Sequence, residues 1–450
     1  MRALSVRNLL YACCPGPLRP LWQRIEASDV GYRLARGTFW ALAGTLIARA
    51  LSLITGIVIA RVLGEPEVYG QLSVVRGTIE TFGVFAGFGL GLTASKHVAE
   101  FRQRDPERAG RIIAVSAMMS ACTASAMAGV LFLAAEGVAQ LLLDRPELAP
   151  MLRIGAIWLF FGTINGAQVG ALSGFEAFRT IAHINCTMAL VSLPILLVAT
   201  IWGGLAGAVA GFSISAGLNW LLNHLALRRE ARRAGVPFAF GRWTEELPIL
   251  WRFSLPAALS GLMVAPVNYL CALMLIKQPD GYTQQGLYEA CNQWFLALQV
   301  LPGLLGNVLL PVMSERLGCQ DHARSRWLLR LAMTVNGAVV FPMAMVIAIF
   351  SKLILAAYGK DYVTGWPTLV VVLATSALLA VQTPVGQVIA ASGRLWMGML
   401  MNLGWALCFL GLGWLLVGFG AVGIASARAA AYCVHAIWTF GFAHKLLRGG

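Results

Sequence analysis

The chain has 450 residues, of which 58% are hydrophobic and only 12% are charged. A soluble globular protein carries about 25% charged residues, so this composition excludes an ordinary water-soluble domain and indicates a protein embedded in a bilayer. The formal net charge is +14, but the basic residues lie in short loops beside apolar runs and do not indicate a nucleic-acid-binding protein.

Twelve apolar runs follow one another along the chain. Crossing the hydrocarbon of a bilayer takes about 20 mostly apolar residues. The runs lack the alternating pattern of membrane β-strands, so helices that satisfy their own backbone hydrogen bonds are expected. The predicted fold class is therefore all-α, a polytopic membrane protein with about 12 transmembrane helices. The runs cover 38–60, 71–94, 112–134, 152–174, 181–202, 205–227, 252–276, 286–313, 328–351, 367–390, 396–417 and 421–443.

The basic residues are distributed unevenly between the two sides of the predicted spans. If the N-terminus is cytoplasmic, 25 of the 34 Lys and Arg residues fall on the cytoplasmic side. The positive-inside rule then predicts that both termini are cytoplasmic. Arg49, Arg76 and Arg428 lie within spans. The remaining six, on the outer side, are Arg61, Arg145, Arg153, Lys277, Lys352 and Lys360.

Two halves of the sequence correspond at a shift of 216 residues, which aligns Gly70 with Gly286 and Gly204 with Gly420. Each half has an even number of spans, so both copies have the same orientation and are related by an axis along the membrane normal. We therefore expect two pseudo-symmetric six-helix lobes around a central cavity. The predicted segments are a cytoplasmic tail (1–33), an N-lobe (34–230), a cytoplasmic linker (231–248) and a C-lobe (249–450).

Arginines within the spans are the candidate binding residues. The helical rise of about 1.5 Å per residue places Arg49 about 18 Å from the outer surface, Arg76 about 9 Å and Arg428 about 12 Å. An arginine at the bilayer centre costs at least about 2.5–3.5 kcal/mol by insertion scales, so these side chains should face protein or a wet cavity. Arg49 has no acid within one turn of its helix. Arg428 has the alternative of hydrogen bonding to carbonyls at the glycine-rich start of its span.

Arg76 and Glu80 are four residues apart and share one helix face. One interpretation is a neutralised pair that orients the second span, and the other is a cavity wall whose arginine binds an anion. Asn292 occupies the repeat position of Arg76, and Glu289 lies near the outer end of the eighth span. The whole group is net positive, which favours an anionic ligand, and guanidinium groups suit phosphate oxygens through bidentate contacts.

The turn "ARVLGEPEVYGQLSVV" (60–75) contains an R-x-L-G-x-x-x-Y-G pattern, formed by Arg61, Leu63, Gly64, Tyr69 and Gly70. With this pattern the chain resembles the polysaccharide-transporter branch of the multidrug/oligosaccharidyl-lipid/polysaccharide flippase superfamily. Three further segments are similar to that branch: "LGLTASKHVAEFRQRDPERA" (90–109), "ALSGFEAFRTIAHIN" (171–185) and "VIAASGRLWMGMLMN" (388–402).

The resemblance implies a flippase that moves polyprenyl-pyrophosphate-linked sugar units across the bacterial inner membrane for O-antigen, capsule or exopolysaccharide synthesis. It also implies alternation between inward-open and outward-open states around a cationic cavity. The turn residues Arg61, Gly64, Tyr69 and Gly70 would then lie at a gate. Expected partners are the lipid-linked glycan, membrane lipids and assembly proteins such as a polysaccharide polymerase, with no nucleic acid.

Two other functions compete with this interpretation. A cation-coupled multidrug efflux antiporter of the same superfamily is the alternative, but members of that branch often have an acidic site in the first span, where this chain has Arg49. An integral-membrane polymerase or ligase is disfavoured by the short outer loops and the lack of a metal-spaced carboxylate pair or a nucleophile with its base. We therefore expect no enzymatic activity, no cofactor and no metal.

Overall fold

The computed structural model describes residues 29–237, 246, 254 and 263–448. Three predicted segments lie partly outside the described residues. They are the tail (1–33), the linker (231–248) beyond residue 237 and the first part of the run 252–276. Within the described ranges the chain is helical, with turns between the helices and no strand.

In the described ranges the first half forms six α-helices, which we call the N-lobe. Proline stands at the start of the second and fourth helices, where its missing N–H has no intrahelical partner to lose. The second predicted run is split after Gly87, because Phe88 and Gly89 both adopt positive φ. The six are α1 (Asp29–Leu63), α2 (Pro66–Gly87), α3 (Leu90–Phe101), α4 (Pro106–Gly137), α5 (Ala149–Gly174) and α6 (Phe178–Arg233).

The second half forms eight α-helices within the described residues, which we call the C-lobe. Here too one predicted run, 286–313, is divided, at Gln299 between the second and third helices. The eight are α7 (Val264–Ile276), α8 (Gly281–Leu298), α9 (Val300–Gly318), α10 (His322–Ile349), α11 (Ser351–Ala356), α12 (Trp366–Ala391), α13 (Leu395–Leu416) and α14 (Gly420–Arg448).

Eight helical segments in the described ranges are long and apolar enough to cross a membrane. Two of them, of 56 and 52 residues, are more than twice the length that one crossing needs. The first is α6, which bends at Gly204, and the second runs through α13 and α14 and bends at Gly420. With α2–α3 and α7 added, the helices correspond to the twelve predicted spans, and the all-α polytopic fold is confirmed.

Equivalent positions of the two halves have the same local structure. Gly204 has φ 54° and ψ −131°, and Gly420 has φ 66° and ψ −142°. Both angles lie in a region that glycine adopts at little cost. Asp105 and Asp321 both cap a helix by accepting from the backbone N–H three residues later, at 2.9 and 3.1 Å. The shift of 216 residues therefore relates real structural equivalents.

The buried core differs between the two ends of the molecule. At the Gly70 end, where α1 turns into α2, one cluster of buried side chains includes residues of both lobes, among them Val75 and Tyr282. At the opposite end, which carries the basic loops, each lobe has its own cluster. Four positions of one cluster match four of the other at the 216-residue shift: Ile113 and Leu329, Leu172 and Val388, Leu227 and Ala443, Ala231 and Leu447.

Candidate functional site

A cavity of about 240 Å³ lies between the lobes and is lined by α1, α2, α6 and α8. Helical periodicity explains its lining: α2 contributes positions 69, 72, 73 and 76, and α8 contributes positions 289, 293 and 296, so each helix presents one face. The polar and aromatic lining residues are Arg49, Ser52, Thr55, Tyr69, Ser73, Arg76, Ser192, Phe212, Ser215, Glu289 and Gln293.

Arg76 lies in the cavity wall and is also paired with Glu80. The Arg76 Nε lies 2.7 Å from the Glu80 Oε1, yet the two side chains keep 37% and 49% of their accessible surface. The ion pair therefore orients the guanidinium without covering it. Glu80 itself lies one turn beyond the lining residues of α2. The two interpretations of this pair are compatible, because Arg76 is both held and accessible.

Arg49 and Glu289 reach the cavity from opposite lobes, and their charges act on each other and on Arg76. Glu289 is fixed by Asn292, whose Nδ2 donates to Glu289 Oε2 at 3.3 Å. Two arginines and one glutamate line the cavity in the described part of the chain, which gives these lining groups a formal net charge of +1. These lining groups are therefore net positive even with Glu289 ionised, and Glu80, which pairs with Arg76 from just outside the lining, brings the sum over the four charged groups to zero.

Arg428 and Asn292 lie outside the residues that line this cavity. The sequence predicts both at the cavity, but Arg428 is only 6% exposed and lies behind the wall, inside the C-lobe. Its Nη1 donates to Asn292 Oδ1 at 2.9 Å and to Tyr288 Oη at 3.2 Å, and its guanidinium carbon lies 3.9 Å from the centre of the Phe295 ring. These partners surround Nη1 and one face of the buried guanidinium, so Arg428 contacts α8 from within the C-lobe, while its Nε has no hydrogen-bond partner in the described structure.

The predicted turn residue Gly70 lies where the two lobes meet. A Cβ atom on Gly70 would lie 1.9 Å from the Tyr282 carbonyl oxygen, and one on Gly286 would lie 1.9 Å from the Pro66 carbonyl oxygen. Pro66 and Tyr282 are also 216 residues apart. The two contacts are therefore exchanged by the pseudo-two-fold axis, which runs between the two glycines. Only glycine permits this backbone approach.

The other turn residues also contact the C-lobe or shape the turn. Tyr69 Oη accepts a hydrogen bond from Gln293 Nε2, and Arg61 Nη1 donates to the Ala357 carbonyl oxygen at 3.1 Å. Gly64 has φ +81°, a conformation that lets the chain leave α1 and start α2 within two residues. The pattern that carries the family resemblance thus coincides with the contact between the lobes.

Arg145 adds contacts at the Gly70 end of the molecule and lies outside the membrane-spanning segments. It donates to Glu67 at 2.6 Å and to Glu147 at 3.1 Å, and its guanidinium carbon lies 5.3 Å from the centre of the Tyr282 ring in the other lobe. The hydrogen bond to Glu147 raises the pKa of Arg145. The pKa of Glu147 is lowered, first by a backbone hydrogen bond and then by Arg145.

Several lining residues are not predicted from the sequence. They include the serines of the cavity, Phe212 and Gln293. A signal was available for one of them, since Gln293 stands one helical turn after Glu289 and so shares its face. Ser215 and Phe212 carry no such signal, because their place in the wall depends on how α6 packs against helices distant in sequence, chiefly α1 and α5.

Comparison with protein families gives a match to the family described as polysaccharide biosynthesis protein, over residues 34–316. This match covers more than half of the chain. The chain belongs to the polysaccharide biosynthesis protein family. The match begins within α1 and ends within α9, so it includes every lining residue of the cavity.

Two named relatives of this family member align over much of their length. The EPS I polysaccharide export inner membrane protein EpsE of Ralstonia nicotianae (strain ATCC BAA-1114 / GMI1000) is 27% identical over 400 residues, which cover 87% of this chain and 89% of EpsE. The Lipid III flippase of Escherichia coli (strain K12) is 24% identical over 295 residues, which cover 65% of this chain and 70% of the flippase.

Solved structures share the fold at low sequence identity. The inward-facing conformation of a multidrug resistance MATE family transporter of the MOP superfamily has a TM-score of 0.74 at 15% identity, covering 92% of this chain and 98% of the other. An outward-facing conformation of such a transporter has a TM-score of 0.67 at 16% identity, covering 93% and 96%. A MOP superfamily transporter from Pyrococcus furiosus with a binding pocket of reverse polarity has a TM-score of 0.68 at 15% identity, covering 92% and 95%.

Proposed function

We propose that this family member is a flippase that moves polyprenyl-pyrophosphate-linked oligosaccharide units across the bacterial inner membrane for polysaccharide biosynthesis. The observation that carries the proposal is the cavity between the two lobes, with the guanidinium groups of Arg49 and Arg76 at its wall. The names of its relatives, a polysaccharide export protein and a lipid III flippase, describe export and flipping and no catalytic step.

Arg49 and Arg76 are the groups that receive the pyrophosphate in this mechanism. Both guanidinium groups offer several N–H donors in a planar fork, which matches phosphate oxygens. The cavity is accessible at Arg76, so the head group enters a wet cleft while the prenyl chain stays in lipid. Glu80 keeps Arg76 paired, which limits the strength with which this arginine retains an anion.

Glu289 acts as the internal counter-ion when no substrate is present. Its carboxylate comes from the C-lobe and interacts electrostatically with both N-lobe arginines, so it attracts the lobes to each other. A pyrophosphate that binds Arg49 and Arg76 takes the place of this interaction. The substrate thereby weakens one attraction between the lobes, which links binding to their movement.

The contacts at Gly70 and Gly286 form the closed gate of the state described here. The shared core at this end and the separate cores at the basic-loop end support this assignment. The positive-inside rule favours a cytoplasmic basic-loop end. The state is then inward-open, with both termini cytoplasmic and the Gly70 end on the outer side.

The test replaces each cavity arginine in a strain whose polymer export depends on this protein. We expect Arg49→Ala and Arg76→Ala to reduce export strongly, since a charge-assisted hydrogen bond contributes about 1.5–3 kcal/mol, which is about 10- to 150-fold in affinity. Polymer in the medium and protein in the membrane fraction are measured together.

Arg153 provides the matched control. Its guanidinium pairs with Glu136 at 2.7 Å on an exposed surface of the N-lobe, away from the cavity. Arg153→Ala is expected to export polymer like the wild type. Full export by both cavity variants, with all proteins present in equal amounts, would contradict the proposed function.

A further inference from the structure

We propose that the α6 wall of the cavity is a separate carbohydrate subsite, which binds the sugar attached directly to the pyrophosphate. This inference rests on the proposed function and names a second chemistry within the same cavity. Arg49 and Arg76 form the anion subsite on α1 and α2. Phe212 and Ser215, three residues apart on α6, form the carbohydrate subsite.

Phe212 supplies an apolar face held in a fixed position. Its ring stacks on the Trp158 ring at 4.9 Å between centroids, with an interplanar angle of 13°, so α5 fixes its orientation. A pyranose ring presents one face of C–H groups, and an aromatic ring offers an apolar surface for such a face. The Trp158–Phe212 pair therefore offers a rigid apolar surface on which a sugar ring can stack.

Ser215 supplies a hydroxyl that has no partner within the described structure. The residue is 8% exposed, it lines the cavity, and its Oγ makes no hydrogen bond. Ser213, on the same helix, shows the usual alternative, since its Oγ donates to the carbonyl oxygens of Val209 and Ile154, both at 3.0 Å. A buried hydroxyl without a partner costs free energy, and a sugar hydroxyl in the cavity would satisfy it.

Gln293 adds an acceptor from the opposite lobe. Its Nε2 donates to Tyr69 Oη, while its buried Oε1 has no partner in the described structure and the residue lines the cavity. Sugar hydroxyls both donate and accept hydrogen bonds. The Ser215 hydroxyl can donate one, and Gln293 Oε1 can accept one. Charged side chains of the lining belong to α1, α2 and α8, so the α6 wall is neutral.

The two subsites are adjacent. The Arg76 guanidinium carbon lies 5.9 Å from the centre of the Phe212 ring, so one ligand can reach both when its sugar is joined directly to a pyrophosphate. The cavity volume of about 240 Å³ is below the range of about 300–1,000 Å³ for drug-sized ligands. It therefore holds the start of the head group, and the sugars further along the chain extend into the open cleft.

The experiment compares two kinds of probe on the purified full-length protein in lipid nanodiscs. One probe is farnesyl pyrophosphate, which carries no sugar. The others carry one sugar on the same pyrophosphate, with glucose, galactose, N-acetylglucosamine and N-acetylgalactosamine tested separately. Dissociation constants are measured for the wild type, Ser215→Ala, Phe212→Leu, Arg76→Gln and the control Ser213→Ala.

We expect at least one sugar-bearing probe to bind the wild type more tightly than farnesyl pyrophosphate. Ser215→Ala and Phe212→Leu should weaken that probe about three- to tenfold, the value of one hydrogen bond or one ring contact, and should change farnesyl pyrophosphate binding less than twofold. Arg76→Gln should weaken both kinds of probe, and Ser213→Ala neither.

The outcomes separate this inference from the proposed function. If farnesyl pyrophosphate binds and no sugar improves its affinity, the carbohydrate subsite is wrong while the flippase proposal stands. The subsite is also wrong if Ser215→Ala and Phe212→Leu weaken both kinds of probe equally. If no probe binds the wild type, the proposed function fails with it.

Discussion

The contact between Gly70 and Gly286 offers a direct way to change the balance between the two gate states. A methyl group at Gly70 would lie 1.9 Å from the Tyr282 carbonyl oxygen, whereas ordinary contacts begin at 3.4 Å. The two backbones must therefore separate by the difference, about 1.5 Å. No rotamer change can relieve this clash, because the opposing atom belongs to the backbone of the other lobe.

The cost of Gly70→Ala falls on the closed gate alone, since an open gate lacks this contact. Overpacking of this kind costs about 1–3 kcal/mol, which corresponds to a shift of about 5- to 150-fold in the equilibrium between the states. Gly286→Ala should have the same effect through the Pro66 carbonyl oxygen. The double variant should shift the equilibrium by less than the sum, because both methyl groups act on one interface.

The assay is hydrogen–deuterium exchange of the protein in lipid nanodiscs, followed in peptides from the start of α2 and of α8. Gly70→Ala should increase exchange in both peptides and decrease it at the basic-loop end. Gly129→Ala is the control, because a Cβ atom there would have nothing within 4 Å. Unchanged exchange in a folded Gly70→Ala protein would refute the assignment of these glycines as the gate.

Three further predictions concern the charges and the bends. Glu80→Gln should increase the affinity of the protein for farnesyl pyrophosphate by up to about fivefold, since an exposed ion pair contributes about 0.2–1 kcal/mol. It should also slow export. Weaker binding would contradict the proposal that Glu80 limits how strongly Arg76 retains an anion. Arg428→Ala should lower the thermal denaturation midpoint, because it leaves a buried cavity and removes a hydrogen-bond donor from Tyr288 and Asn292, at a cost of about 2–5 kcal/mol. An unchanged midpoint together with lost ligand binding would show instead that Arg428 binds the ligand. Gly204→Ala should destabilise the protein by about 1–3 kcal/mol through backbone strain. Gly203→Ala is the control and should not destabilise it, because a Cβ atom at either position would have nothing within 4 Å. Equal effects of the two substitutions on the denaturation midpoint would refute the strain at Gly204.

The sequence by itself determined the class of fold and its internal repeat. Twelve apolar runs predict helices because an unpaired backbone is too costly in lipid. The shift of 216 residues emerged from small local signals, such as Asp105 with Asp321 and Gly204 with Gly420, whose structural roles are set within a few residues of the chain. Depth along a helix also follows from residue number alone, so Arg49 and Arg76 could be placed far from the membrane surface. The exact bounds of the lobes and of the linker stay predictions.

Only the tertiary structure decided which side chains share the cavity. Residue number gives depth but not the direction of a side chain relative to a neighbouring helix. For this reason Arg428, at a suitable depth, lies behind α8 among Tyr288, Asn292 and Phe295. For the same reason Phe212 and Ser215, which have no charge to mark them, form part of the wall. Packing between helices distant in sequence fixes these directions, and no local pattern records it.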